Sequence, residues 1–70
     1  MDNNIFGNKL QELRKEIGLT QRELGEKLGF SNQTVSFWES GKREPDLNAM
    51  RKIAQFFDVS ADYLLGLIEY

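Results

Sequence analysis

The sequence that decides the fold runs from Gln21 to Ser40 and reads QRELGEKLGFSNQTVSFWES. It contains two short segments of helical periodicity with a break between them. Leu24 and Leu28 are one helical turn apart in the first segment, and Val35 and Trp38 are one turn apart in the second. Each segment therefore carries a single apolar stripe, which predicts two short amphipathic helices that pack against each other and against a common core.

Both segments carry their own start and stop signals. The sequence TQRE at residues 20–23 fits a capping box, and Ser31 can cap the second helix. Gly29 lies where the chain must turn, and we expect it to have a positive φ. At Gly25 a larger side chain would push the two helices apart. These signals at these offsets predict a helix-turn-helix over the quoted stretch, with its second helix over about residues 32–40.

Three further helices are predicted around this motif. A stripe of Leu10, Leu13 and Ile17 indicates a first helix from about residue 5 to 17, ended by Gly18. Asp46 caps a fourth helix whose inward side chains are Leu47, Met50, Ile53, Ala54 and Phe57. Ser60 caps a fifth, from which Tyr63, Leu64 and Leu67 are expected to pack inward. The predicted fold is all-α, a compact five-helix bundle forming one domain over residues 1–70.

Composition restricts the function. The chain has 70 residues, 40% of them hydrophobic and 29% charged, with no cysteine and no histidine. Disulfides, thiolate metal sites and the usual general base are thereby excluded. The acidic residues form no pair placed for acid–base work, so we expect no catalytic residue, no metal, no cofactor and no small-molecule ligand in this segment. No signal peptide or membrane-length apolar run is present, which makes the cytoplasm the default location.

The sequence resembles the phage-repressor and Cro family of helix-turn-helix domains, the XRE family. The matching pieces are KLQELRKEIGLTQRELGEKLG, SNQTVSFWESGKREPDL and FFDVSADYLLG, which together extend from about Phe6 to Gly66. The resemblance implies the five-helix fold of phage-repressor DNA-binding domains. It further implies binding to double-stranded DNA at a palindromic operator as a homodimer, with repression or autoregulation of transcription as the outcome.

The same resemblance makes the second helix of the motif, over about residues 32–40, the recognition helix. It places four base contacts on the exposed face of this helix: Asn32, Gln33, Ser36 and Phe37. Gln33 is the strongest candidate, because a carboxamide can pair with both N6 and N7 of adenine. Phe37 departs from the long polar or basic residue that is frequent in the family. Its ring cannot hydrogen-bond a base edge but can touch a thymine methyl group, which predicts a thymine near it.

Phosphate contacts are predicted at six positions: Gln21, Arg22, Thr34, Ser40, Lys42 and Arg43. In the family a glutamine at the position of Gln21 touches phosphate and also braces the recognition helix. Gln21 begins the first helix of the motif, and the free N–H groups at the start of this first helix favour an anion as well. For Lys42 and Arg43 the alternative is an ordinary solvated turn. For Trp38 the alternative to a core position is base stacking, but its helical phase matches that of Val35 and favours the core.

The formal net charge of −2 is unusual for a protein that binds nucleic acid. The local surface matters more than the total. Glu39 is the one charge counted on the recognition helix, and Lys42 and Arg43 follow it at once. Several acids lie outside the motif, at Asp2, Glu12, Glu16, Asp58, Asp62 and Glu69, whereas Glu23 and Glu26 could lie near DNA. This balance predicts modest non-specific affinity, with specificity carried by base contacts and DNA shape.

A second hypothesis is a protein-interaction module that uses the same fold to bind a toxin, a sigma factor or another subunit. Its basis is the apolar chain end with Leu64, Leu65, Leu67, Ile68 and Tyr70. The same surface could be the dimer interface of a DNA-binding protein, or the start of a longer helix in a larger protein. Salt-dependent DNA binding distinguishes the two hypotheses.

Overall fold

Five helices lie within the part of the chain that the structure describes. A computed structural model of the chain describes residues 4–68, which contain helices and turns but no strand. The helices are α1 (Ile5–Glu16), α2 (Gln21–Leu28), α3 (Asn32–Ser40), α4 (Leu47–Phe57) and α5 (Ala61–Leu64). The predicted all-α five-helix fold is therefore confirmed. Within the described range, none of the helices has both the length and the apolar character needed to cross a membrane.

Short side-chain caps start the helices where the sequence predicts them. Thr20 Oγ1 accepts a hydrogen bond from the Glu23 N–H at 3.0 Å, and the Glu23 carboxylate accepts from the Thr20 N–H at 2.8 Å. Hydrogen bonds from the backbone and side chain of Thr20 lower the pKa of the Glu23 carboxyl. Three other caps accept in the same way from the N–H three residues ahead: Ser31, Asp46 and Ser60. These interactions satisfy N–H groups that a helix start otherwise leaves unpaired.

The core draws on all five helices. Its fully buried side chains are Leu10, Leu24, Val35, Ile53 and Leu64, with Leu28, Trp38 and Ala49 around them. Trp38 is 3% exposed and packs edge-on against Phe30, with 4.9 Å between the ring centroids. This confirms the core position of Trp38 and excludes the base-stacking alternative.

Three leucine or isoleucine side chains that were predicted to pack inward are exposed: Ile17 (52%), Leu47 (84%) and Leu67 (70%). Ile17 is the C-cap of α1, so it has left the helical stripe, and Gly18 follows it with a φ of +73°. Leu47 is the first residue of α4, whose buried face begins at Ala49. Leu67 comes after Gly66, whose positive φ turns the chain away from α5. Asp2, Glu69 and Tyr70 lie outside the described residues.

Candidate nucleic-acid interface

Helix α3 presents two contrasting faces. Val35, Trp38 and Glu39 are buried against the rest of the domain. The opposite face consists of Asn32, Gln33, Ser36, Phe37 and Ser40, all exposed or half-buried. At about 100° per residue, these five side chains share an arc of roughly 140°. The structure therefore brings the four predicted base contacts and Ser40 together on one face.

The turn between α2 and α3 depends on two glycines. A Cβ at Gly25 would lie 2.5 Å from the Phe30 carbonyl oxygen, so only glycine permits this approach. The Gly25 carbonyl also accepts from the N–H groups of Gly29 and Phe30, each at 2.8 Å. Gly29 has a φ of +85°, in the left-handed region that favours glycine. Both predicted glycine roles are confirmed, and together they set the angle at which α3 leaves α2.

A buried ion pair positions the inner face of α3. Arg14 Nε donates to Glu39 Oε2 at 2.7 Å, and Arg14 Nη2 donates to Oε1 at 3.0 Å. The Arg14 side chain is 10% exposed and that of Glu39 only 3%. The hydrogen bonds with Glu39 raise the pKa of the Arg14 guanidinium, against the opposing effect of burial. A bidentate arginine–carboxylate pair restricts direction as well as distance, so it fixes α3 relative to α1.

Two further hydrogen bonds extend this pair. Arg14 Nη1 donates to the Leu19 carbonyl at 2.8 Å, just before α2 begins. Gln21 Nε2 donates to Glu39 Oε1 at 3.1 Å and so connects the first residue of α2 with α3. The predicted bracing of the recognition helix by Gln21 thus has a direct physical form. Helices α1, α2 and α3 all contribute to one polar cluster, made of Arg14, Gln21 and Glu39.

Sequence reasoning missed Arg14 and misplaced Glu39. Glu39 was counted as a charge on the recognition helix, yet it points inward and its charge is compensated by Arg14. The outer face of α3 therefore carries no carboxylate. The signal was available in the helical phase, because Arg14 follows Leu10 by four positions and Glu39 follows Val35 by four. A charged residue in an apolar phase, on each of two helices, is typical of a buried pair.

Three of the remaining predicted phosphate contacts, Thr34, Ser40 and Arg22, already contact neighbours within the protein. Thr34 is half-buried, and its Oγ1 is 2.9 Å from Ser31 Oγ. Ser40 Oγ donates to the Phe37 carbonyl at 3.3 Å. Arg22 is on the exposed side of α2, where its Nε lies 3.7 Å from Glu26 Oε2.

The end of α3 brings two of the predicted cations beside Phe37. Gly41 adopts a φ of +83° and reverses the chain after the helix. The N–H groups of Lys42 and Arg43 then both donate to the Phe37 carbonyl, at 3.0 and 3.3 Å. Lys42 Nζ is 5.6 Å from the centroid of the Phe37 ring, and Arg43 Cζ is 5.4 Å from it. Within residues 4–68, neither cation forms an ion pair with a carboxylate.

Comparison with known proteins gives the family. A helix-turn-helix family model matches residues 10–64, which is most of the chain. The chain belongs to this helix-turn-helix family. The chain is similar to the P22 c2 repressor of Salmonella phage P22, with a TM-score of 0.83 and 31% sequence identity. The structure compared is a crystal structure of that repressor in complex with a synthetic operator. The similarity covers 87% of this chain and 92% of that one, and it confirms the predicted phage-repressor type of fold.

Curated helix-turn-helix relatives are transcriptional regulators. The HTH-type transcriptional regulator ImmR of Bacillus subtilis is 42% identical over 61 residues, which cover 87% of this chain and 48% of ImmR. The HTH-type transcriptional activator BcrR of Enterococcus faecalis is 45% identical over 61 residues, which cover 87% of this chain and 30% of BcrR. The chain thus spans half or less of the length of these two relatives. The three named proteins are a repressor, a transcriptional regulator and a transcriptional activator.

Proposed function

We propose that this chain is a sequence-specific double-stranded DNA-binding domain that inserts α3 into the major groove, and that it represses transcription from a palindromic operator as a homodimer. The observation that supports this most is the outer face of α3. It carries uncharged hydrogen-bonding side chains and one aromatic ring, no carboxylate, and two cations at its C-terminal end. A helix of this kind fits the width of the major groove and the chemistry of base edges.

Base contacts are assigned to Asn32, Gln33 and Ser36, whose side chains share the outer face of α3 with Phe37. Asn32 and Gln33 are exposed at the N-terminal end of the helix. In helix-turn-helix domains this end of the recognition helix contacts base edges. Each carboxamide offers one donor and one acceptor, which matches adenine. Ser36 and Phe37 follow one turn later.

Phosphate contacts are assigned to the start of α2, to the turn after α3 and to two hydroxyl groups of α3. The N–H groups of Gln21 and Arg22 begin α2 and have no partner within the helix, so they favour an anion. The exposed Arg22 can exchange its weak contact with Glu26 for a phosphate. Lys42 and Arg43 supply positive charge beyond α3. The hydroxyls of Thr34 and Ser40, which now bond within the protein, complete the proposed set as donors to phosphate or sugar.

Homodimerisation is assigned to an apolar surface at the start of α1 and just after α5, made of the exposed side chains of Ile5, Leu65, Leu67 and Ile68. These side chains are between 39% and 70% exposed. Ile5 lies directly over Gly66, where a Cβ would be 2.6 Å from Ile5 Cγ2. Apolar side chains clustered on such a small domain favour association. Two copies related by a twofold axis would read half-sites about 34 Å apart.

The DNA-binding proposal is tested by selecting sites from a randomised duplex pool and titrating the selected duplex at several salt concentrations. We expect a twofold-symmetric site and an affinity that falls steeply with salt, by about 0.9 in the log–log slope per neutralised phosphate. Gln33→Ala should lower the binding free energy by about 1–3 kcal/mol and relax the base specificity at one position in each half-site. Gln55→Ala, an exposed glutamine on α4, is the matched control and should bind as the wild type does. Enrichment of no sequence, with only weak binding at low salt, would contradict the proposal and favour a protein-interaction module.

The dimer proposal is tested by sedimentation with Leu67→Asp and the control Leu47→Asp. Both leucines are highly exposed, but only Leu67 belongs to the apolar surface. We expect Leu67→Asp to be monomeric and to lose affinity for the full palindrome while retaining its affinity for a half-site. Leu47→Asp should behave as the wild type. A wild-type protein that stays monomeric at micromolar concentration and on the operator would refute the dimer.

A further inference from the structure

Phe37 has a structural relation to Lys42 and Arg43 that a base-reading role does not require. The Phe37 carbonyl oxygen accepts hydrogen bonds from the backbone N–H groups of both residues. The centroid of the Phe37 ring lies within 6 Å of the charged groups of both side chains. A cation near an aromatic face is attracted by the ring quadrupole. The backbone hydrogen bonds and the ring therefore both keep the charged side chains of Lys42 and Arg43 next to Phe37.

The backbone at this point leaves little freedom for another arrangement. Gly41 has a left-handed φ, and a Cβ there would lie 3.0 Å from Asn4 Cγ. The chain is thereby required to fold back over the last turn of α3, which brings residues 42 and 43 to Phe37. Asn4 Nδ2 also donates to the Glu39 carbonyl at 2.7 Å, so the N-terminus of α1 supports the same turn.

Both cations lie within 6 Å of the centroid of one ring, and no carboxylate among residues 4–68 forms an ion pair with either of them. A phosphodiester group is an anion that can accept charge-assisted hydrogen bonds from such side chains. Long side chains lose rotamer freedom when they bind a partner, and this loss costs free energy. The cost is smaller when the side chain is already ordered before binding. A ring that holds both of them near the end of α3 reduces that cost.

We infer that Phe37 is a positioning residue for phosphate binding: its ring orders Lys42 and Arg43 against the DNA backbone, and it does not read a base. The inference rests on the proposed DNA-binding function and refines it. It predicts that the contribution of Phe37 to affinity is independent of DNA sequence. The thymine contact predicted from the sequence makes the opposite prediction, because it would act at one base position only.

The test compares Phe37→Leu with Phe37→Trp. Leucine keeps an apolar side chain that can touch a thymine methyl but has no aromatic face, whereas tryptophan provides the strongest cation–π partner. Phe56→Leu is the matched control, since Phe56 is an exposed phenylalanine on α4. Thermal unfolding of each variant establishes that it is folded. Affinity is then measured for the selected duplex and for an unrelated duplex at four salt concentrations.

We expect Phe37→Leu to weaken binding to both duplexes by about 5- to 30-fold, the factor that corresponds to two exposed cation–π contacts. Its salt slope should fall by about 1 to 2, because each lost phosphate contact removes about 0.9. Phe37→Trp should restore both quantities, and Phe56→Leu should change neither. In the free protein, NMR signals of the side-chain methylene protons of Lys42 and Arg43 should lose ring-current shielding in Phe37→Leu only.

Three results would overturn the inference. A loss confined to the selected duplex, with an unchanged salt slope, would make Phe37 a base-reading residue. Unchanged binding in Phe37→Leu, together with unshielded Lys42 and Arg43 protons in the wild type, would show that the ring does not order them. A wild-type protein that binds neither duplex would refute the proposed function itself and the inference with it.

Discussion

Replacing Arg14 by alanine should be among the most damaging single changes in this domain. The substitution removes three hydrogen bonds at once, two to the Glu39 carboxylate and one to the Leu19 carbonyl. It leaves the carboxylate of Glu39, with a side chain 3% exposed, facing a cavity and supported by the amide of Gln21. Removing one partner of a buried ion pair costs about 3–5 kcal/mol, because the remaining charge is neither solvated nor paired.

This cost is large for a chain of 70 residues. At about 0.05–0.15 kcal/mol per residue, the whole domain is stable by roughly 3.5–10 kcal/mol. A loss of about 3 kcal/mol lowers the Tm by roughly 12–24 °C in a domain of this size. We therefore expect Arg14→Ala to be marginally folded. Replacing both partners, as in Arg14→Met with Glu39→Leu, removes the uncompensated charge and should recover at least about 2 kcal/mol.

The assay is urea unfolding followed by far-UV circular dichroism and by the fluorescence of Trp38, the single tryptophan. Arg22→Ala is the matched control, because its pair with Glu26 has side chains 79% and 69% exposed and should be worth less than about 1 kcal/mol. Added salt should weaken the Arg22 effect and leave the Arg14 effect nearly unchanged. An equal loss of stability in Arg14→Ala and Arg22→Ala, or a double variant no more stable than Arg14→Ala, would show that the Arg14–Glu39 pair is not energetically a buried ion pair.

Two further predictions concern α2. The pKa of the Glu23 carboxyl is lowered in the folded state. Its contribution to stability is therefore complete above the pKa that this carboxyl has in the unfolded chain, and it is lost as the pH falls through the pKa of the folded state. Urea unfolding between pH 6 and pH 3 should show a free energy of unfolding that decreases more steeply with falling pH for the wild type than for Glu23→Gln, and equal slopes would contradict this. Gly25→Ala should destabilise by about 1–3 kcal/mol despite the better helix propensity of alanine, because its Cβ would lie 2.5 Å from the Phe30 carbonyl oxygen. A thermal melt of Gly25→Ala that matches or exceeds the wild type would show that the turn can move aside.

Much of the fold was predictable because its signals are local. The capping box at Thr20 and the cap at Ser31 each involve residues three positions apart, so the chain itself specifies them. The buried stripes of α2 and α3 also follow from periodicity. Periodicity failed at the ends of helices: Ile17 and Leu47 continue an apolar stripe in the sequence but lie where α1 has ended and where α4 has just begun. Whether the side chain of a terminal residue faces the core depends on the residue at which the helix ends, and the surrounding residues determine that end.

For the candidate site, the sequence alone determined which residues occupy the outer face of α3. A helix of nine residues has only two faces, and Val35 and Trp38 had to take the inner one. The helical phase of Glu39 also points it inward, but only the tertiary structure decided that Arg14 is its partner, because Arg14 is 25 positions away and no local pattern connects the two. The same holds for the environment of Phe37, which depends on how the chain reverses at Gly41 against Asn4. Local hydrogen bonds and apolar phase can be read along the chain, whereas the pairing of distant charges appears only when the helices are packed.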